Sequence, residues 1–138
     1  MSFLLDTNAI SEWQKPIPNA GLIAWMRTAD EEELFLSVVT LAEIRYGIER
    51  MPAGGRRNRY EQWLEHELLQ RFEGRILSVD AEIAERWGRL VSRSAAVGRP
   101  VSTMDGFLAA TAEVHTLTLV TRNAQHFSML KTVLNPWT

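Results

Sequence analysis

The sequence predicts an α/β fold of three layers, α/β/α, around a mainly parallel central sheet. Short apolar runs at Phe3-Leu4-Leu5, Leu34 to Val39, Ile76 to Val79 and Leu117 to Val120 alternate with amphipathic stretches long enough to be helices. Parallel strands need a crossover of a dozen or more residues, and helices usually supply it. The 138 residues match the common size of one domain, so a single domain over residues 1–138 is expected. With 46% hydrophobic and 23% charged residues, a core can form, and a largely disordered or fibrous chain is excluded.

Each element has a local reason. Phe3-Leu4-Leu5 reads as a buried strand ended by Asp6-Thr7-Asn8, with a helix to follow that Pro16 and Pro18 stop. Asn19 can cap a second helix, whose Leu22, Ile23, Trp25 and Met26 recur at helical spacing. Leu34 to Val39 is rich in Val, Leu and Phe and reads as a second strand. Thr40-Leu41-Ala42-Glu43 then opens a helix that ends before Pro52-Ala53-Gly54-Gly55. Tyr60, Trp63, Leu64, Leu68, Leu69 and Phe72 stripe the next helix, over Asn58 to Phe72, which Gly74 closes. Asp80 caps the helix carrying Ile83, Trp87, Leu90 and Val91, and Ser102 begins a helix crowded with small residues. The strand Leu117 to Val120, the turn Thr121-Arg122-Asn123 and a short edge strand at Val133-Leu134 complete the order.

The chain has no cysteine, which excludes disulfides, Cys-ligated zinc, iron–sulfur clusters and thiol catalysis. A net charge of −2 gives no globally basic surface, so any affinity for nucleic acid has to be local. Met1 to Asp6 lacks the basic lead and long apolar segment of a signal peptide. The longest apolar-looking run, Leu34 to Ala42, falls far short of the ~20 residues of a membrane helix. A soluble, cytoplasmic protein is expected.

In an open parallel sheet the ligand site lies beyond the carboxyl ends of the strands. Four positions qualify: Asp6 after the first strand, Glu43 in the helix after the second, Asp105 in the first turn of the small-residue helix, and Asn123 after the fourth strand. Carboxylates sharing one cleft repel and take up protons unless a cation sits among them. Oxygen ligands without Cys or paired His favour Mg²⁺ or Mn²⁺ over zinc. Such an ion can bridge phosphate oxygens, activate water and stabilise a leaving oxygen. Glu43 with Thr40, and Asp105 with Ser102, also spell capping boxes, and either acid taken alone reads better as a cap than as a ligand.

The motifs Leu4-Leu5-Asp6-Thr7-Asn8, Ser37 to Gly47, Asp105 to Ala112 and Leu119 to Asn123, together with the closing Asn135-Pro136-Trp137, span nearly the whole chain. In this order they resemble a PIN domain, and more narrowly the VapC and FitB toxin subunits of bacterial toxin–antitoxin pairs. The resemblance implies a metal-dependent endoribonuclease that hydrolyses RNA phosphodiester bonds. Asp6, Glu43 and Asp105 are its implied metal ligands, Asn123 shares the catalytic site, and Thr7, Asn8 and Thr121 orient the acids or bound water. The fourth motif often carries Asp where this chain has Asn123, a carbonyl without charge, so three acids favour one ion over two. The implied partners are a cognate antitoxin that blocks the cleft, RNA as substrate and a second copy of the chain in a homodimer. Operator DNA is implied only through the antitoxin.

Two other functions fit parts of the pattern. A non-catalytic corepressor would act only by stabilising a DNA-binding antitoxin on its operator, consistent with Asn123 and the acidic balance. A phosphatase of the haloacid-dehalogenase type also starts with an apolar strand and Asp, but normally needs a second Asp where Asn8 stands. Arg50, Arg56, Arg57 and Arg59 form the one locally basic segment, better read as a solvated loop and helix start than as an RNA track. His66, His115 and His126 lack metal-ligand spacing and read as local or surface residues.

Overall fold

A computed structural model describes all residues 1–138. Five strands form one sheet in the order β3-β2-β1-β4-β5, with every neighbouring pair parallel: β1 (Phe3–Leu5), β2 (Leu34–Ser37), β3 (Ile76–Leu77), β4 (Thr118–Val120) and β5 (Val133–Leu134). β1 lies at the centre, which is why the chain opens on a wholly apolar strand. Leu4 and Leu5 are both fully buried, on opposite faces. Leu5 and Val120 pack with Ile10, Leu22, Ile44, Ile48, Leu68 and Phe72 under α1 (Thr7–Glu12), α2 (Ala20–Thr28), α3 (Val38–Glu49) and α4 (Gly55–Gln62). Leu4 and Leu119 pack with Leu90, Leu108, Ala109 and Ala112 under α6 (Ala81–Ala96) and α7 (Thr103–Val114). Alternation along two strands thus builds both halves of a three-layer core, as the sequence predicts.

Several boundaries differ from the sequence expectation. β2 stops at Ser37, because the Ser37 hydroxyl accepts from the Val39 amide and starts α3 at Val38, two residues before Thr40. Glu43 therefore lies in the second turn of α3, and the expected Thr40–Glu43 capping box does not form. The fourth helix begins at Gly55 rather than Asn58, and after Gln62 it passes through a π-helical stretch, Trp63–Leu68, into the short α5 (Leu69–Arg71). Trp63, Leu64 and Leu68 of that stretch are buried, so packing sets its register. Asp80, Asn19 and Ser102 cap their helices as predicted, accepting from Ile83, Leu22 and Asp105 amides. No helix is long and apolar enough to cross a membrane.

One residue sits in a strained backbone conformation. Thr116 has φ 54° at the end of α7, where its amide donates to the Glu113 carbonyl and the Leu117 amide to the Ala112 carbonyl. This is a Schellman turn with a β-branched residue where glycine is usual. The left-handed region costs an L-residue about 1–2 kcal/mol, part of which glycine's greater unfolded-state entropy offsets. Thr116→Gly is expected to raise stability by about 0.5–1 kcal/mol, read as a Tm increase of about 2–4 °C in thermal unfolding.

Candidate active site

The strand order reverses at β1: the chain moves outward through β2 and β3, then returns to place β4 on the other side. That switch point, between the carboxyl ends of β1 and β4, is where an open α/β sheet leaves a crevice. Asp6 and Thr121 leave the two strands there. The Asp6 amide donates to the Val120 carbonyl at 3.1 Å, extending the ladder by one step, and both residues are buried.

Asp6 has two jobs. Its Oδ1 caps α1 by accepting from the Ala9 amide at 2.7 Å, a role the sequence left open. Its carboxyl is also pushed up from the ordinary 3.8 to about 6, chiefly because burial penalises the charge. The negative charges of Asp105 and Glu43 push in the same direction, against hydrogen bonding from Thr121 and Ala9. Folding therefore brings the field of two acids, 37 and 99 residues further along, to bear on a third.

Glu43, half-buried on α3, is held by the Thr7 hydroxyl, which donates to its Oε1. The fully buried Thr40 lies on the other side of that hydroxyl, with its Oγ1 3.4 Å from Thr7 Oγ1. Sequence reasoning assigned Thr40 to helix capping and missed it as a neighbour of the site. Its position three residues before Glu43, on the same helix face, was the available signal. Asp105 stands in the first turn of α7, half-buried, its amide donating to Ser102 Oγ at 3.2 Å. Half of the predicted capping box is thus real, yet the Asp105 carboxylate still reaches Asp6 electrostatically.

Asn123 follows β4 and its amide N–H donates to Thr121 Oγ1 at 3.0 Å, while its own side chain makes no capping bond. Asn8 is exposed on the first turn of α1. None of the protein's ion pairs involves Asp6, Glu43 or Asp105, so no Lys or Arg neutralises the cluster. Nor are three or more Asp, Glu or His side chains drawn tightly enough together to enclose an ion. Uncompensated like charges favour separation. In donor chemistry the set fits a hard divalent cation: it is all oxygen, carries negative charge without a protein counter-ion, and includes a buried carboxyl whose ionisation the Thr121 and Ala9 hydrogen bonds support only in part and a nearby cation would favour further.

The model of the PIN domain family matches residues 3–131, a span that holds the whole sheet up to β4 and all four candidate positions. The chain belongs to the PIN domain family. This PIN domain is 38% identical over 135 residues to the Toxin FitB of Neisseria gonorrhoeae, covering 97% of both chains. It is 36% identical over 135 residues to the VapC ribonuclease Y4jK of Sinorhizobium fredii, covering 97% of this chain and 96% of that one. Among solved structures, FitAB bound to an IR36 DNA fragment superposes with a TM-score of 0.92 at 36% identity, over 99% of this PIN domain and 96% of that chain. The predicted fold and the family resemblance are both borne out. The phosphatase alternative, which rested on the first strand and Asp6 alone, loses its footing to a match that spans the fold.

Proposed function

We propose that this PIN domain is a Mg²⁺- or Mn²⁺-dependent endoribonuclease and the toxin of a toxin–antitoxin pair, inactive while its cognate antitoxin covers the cleft. The observation that carries the reading is Asp6: a buried carboxyl at the switch point, flanked by two further acids, with no protein cation to offset them. The named relatives support it, one being a VapC ribonuclease and another a toxin subunit solved with its partner on DNA. A homodimer, with operator DNA reached only through the antitoxin, completes the proposal.

Asp6, Glu43 and Asp105 hold the cation in this reading. When bound, it supplies Lewis-acid stabilisation of phosphate charge and a lowered pKa for water. The chain's own residues do the rest. Thr7 restrains Glu43 through its hydroxyl, Thr121 hydrogen-bonds Asp6, and the α1 cap fixes the Asp6 carboxyl on a rigid element. The Asn123 side chain, unused in capping, is free to orient a water or a phosphate oxygen without adding charge. Three acids against one amide match one cation better than two.

The test is partner-free protein incubated with total cellular RNA and Mg²⁺ or Mn²⁺. Cleavage that EDTA abolishes and excess Mn²⁺ restores is the expected result, and added antitoxin should suppress it. The second reading, a non-catalytic corepressor, draws on the DNA-bound FitAB relative and on Asn123. Intact RNA under both metals, with a tightened antitoxin–operator complex, would establish it and remove the nuclease.

A further inference from the structure

A cleft of about 680 Å³ opens directly against Asp105, within the size range of small-ligand sites. Its walls are mostly polar: Arg99 and Ser102 from the segment leading into α7, and Gln125, His126 and Ser128 from the 3-10 turn after Asn123. Arg99 is exposed, forms no ion pair, and makes one side-chain contact, donating to Ser128 Oγ at 3.3 Å. A guanidinium left unneutralised opposite a carboxylate candidate is a ready phosphate fork. Gln125 and His126 are both exposed, one offering an amide donor and acceptor, the other a flat ring. Such groups read base edges and stack on unpaired bases. An amphipathic partner helix, by contrast, seeks an apolar groove.

We infer that this cleft receives the nucleotide next to the scissile phosphate, with Arg99 binding the adjoining phosphate and Gln125 and His126 setting which base is accepted. The inference rests on the nuclease reading and names the substrate subsite of that same site. It adds one side of an RNA path: the strand lies across Asp105 and passes between the start of α7 and the 3-10 turn.

The test separates binding from cleavage. A fluorescein-labelled single-stranded RNA 12-mer of mixed sequence is titrated in EDTA against full-length wild type, Arg99→Ala, Arg99→Lys and Arg89→Ala. Arg89 pairs with Glu85 on α6 and controls for the loss of one charge. Arg99→Ala is expected to weaken binding about tenfold and to lower the salt slope by about one, with Lys recovering part of it and Arg89→Ala staying within twofold. Gln125→Ala and His126→Ala, mapped on total RNA with Mn²⁺, are expected to shift the preferred cut sequence while overall rates change less than fivefold. Unchanged binding by Arg99→Ala, or unchanged cut sites in both other variants, overturns the subsite even if the wild type cleaves RNA. Weakened antitoxin binding with RNA binding intact also overturns it, in favour of a protein contact. RNA bound through Arg99 by a wild type that never cleaves overturns the nuclease reading instead.

Discussion

Asp6→Asn is expected to lose RNA cleavage by on the order of a thousandfold while making the protein more stable at neutral pH. The two effects have one cause. In the folded protein the Asp6 carboxyl ionises near 6, against 3.8 ordinarily, because burial and two neighbouring acids disfavour the charge. Between those values the folded state holds a proton that the unfolded chain has released, so this group's contribution to stability falls as pH rises from about 4 to 6. The fall totals about 3 kcal/mol and persists above pH 6. Asn cannot ionise and still offers a side-chain oxygen to the Ala9 amide, so the cap survives. In urea unfolding without divalent metal, the variant is expected to exceed the parent by up to about 3 kcal/mol near pH 7.5 and to match it below pH 4. Saturating Mn²⁺ should stabilise the parent alone and narrow the gap. A less stable variant at neutral pH contradicts the strained-carboxyl description, and full cleavage contradicts the catalytic role.

The second large effect is expected at Gly106, the residue after Asp105. A Cβ there would lie 2.7 Å from Trp87 Nε1 and from Val91 Cγ2, both on α6. Neither neighbour gives way easily. Trp87 Nε1 donates to the Thr103 carbonyl at 3.1 Å, and the indole stacks on Phe107 with ring centroids 5.3 Å apart. Alanine gains about 1 kcal/mol of helix propensity, but overpacking costs about 1–3 kcal/mol, so Gly106→Ala should be destabilising by about 1 kcal/mol net. Gly106→Val should cost about 3 kcal/mol or more and reduce cleavage at least tenfold, because α7 moves with Asp105 on it. Gly88 on α6 has nothing within 4 Å of its would-be Cβ, and Gly88→Ala should stabilise by up to about 1 kcal/mol. Urea midpoints of the three variants check the opposite signs.

Much of this was legible in the residues. Strands carrying adjacent apolar residues, Leu4-Leu5 and Leu119-Val120, announce a sheet buried on both faces, and Asp6 just beyond the first and Thr121 and Asn123 just beyond the second mark the carboxyl edge. The start of α3 was not legible. Val38 and Val39 are β-branched and extend the apolar run, yet burial of Val39 and the Ser37 cap outweigh their strand preference. The π-helical register over Trp63–Leu68 was equally hidden, since it follows from how three large side chains seat in the core. At the site, Asp6 read as either cap or ligand, and the structure gives it the cap together with a perturbed carboxyl. The Thr40 contact with Thr7 depends on how α1 meets α3, which local patterns do not encode.

The proposed cation site is tested most directly by crystals of partner-free protein grown with Mn²⁺ and measured for anomalous scattering at neutral pH. The expected result is one strong peak in the crevice between β1 and β4, with oxygens of Asp6, Glu43 and Asp105 turned onto it. A peak elsewhere on the molecule, or none while any of these three carboxylates points away from the other two, contradicts the assignment.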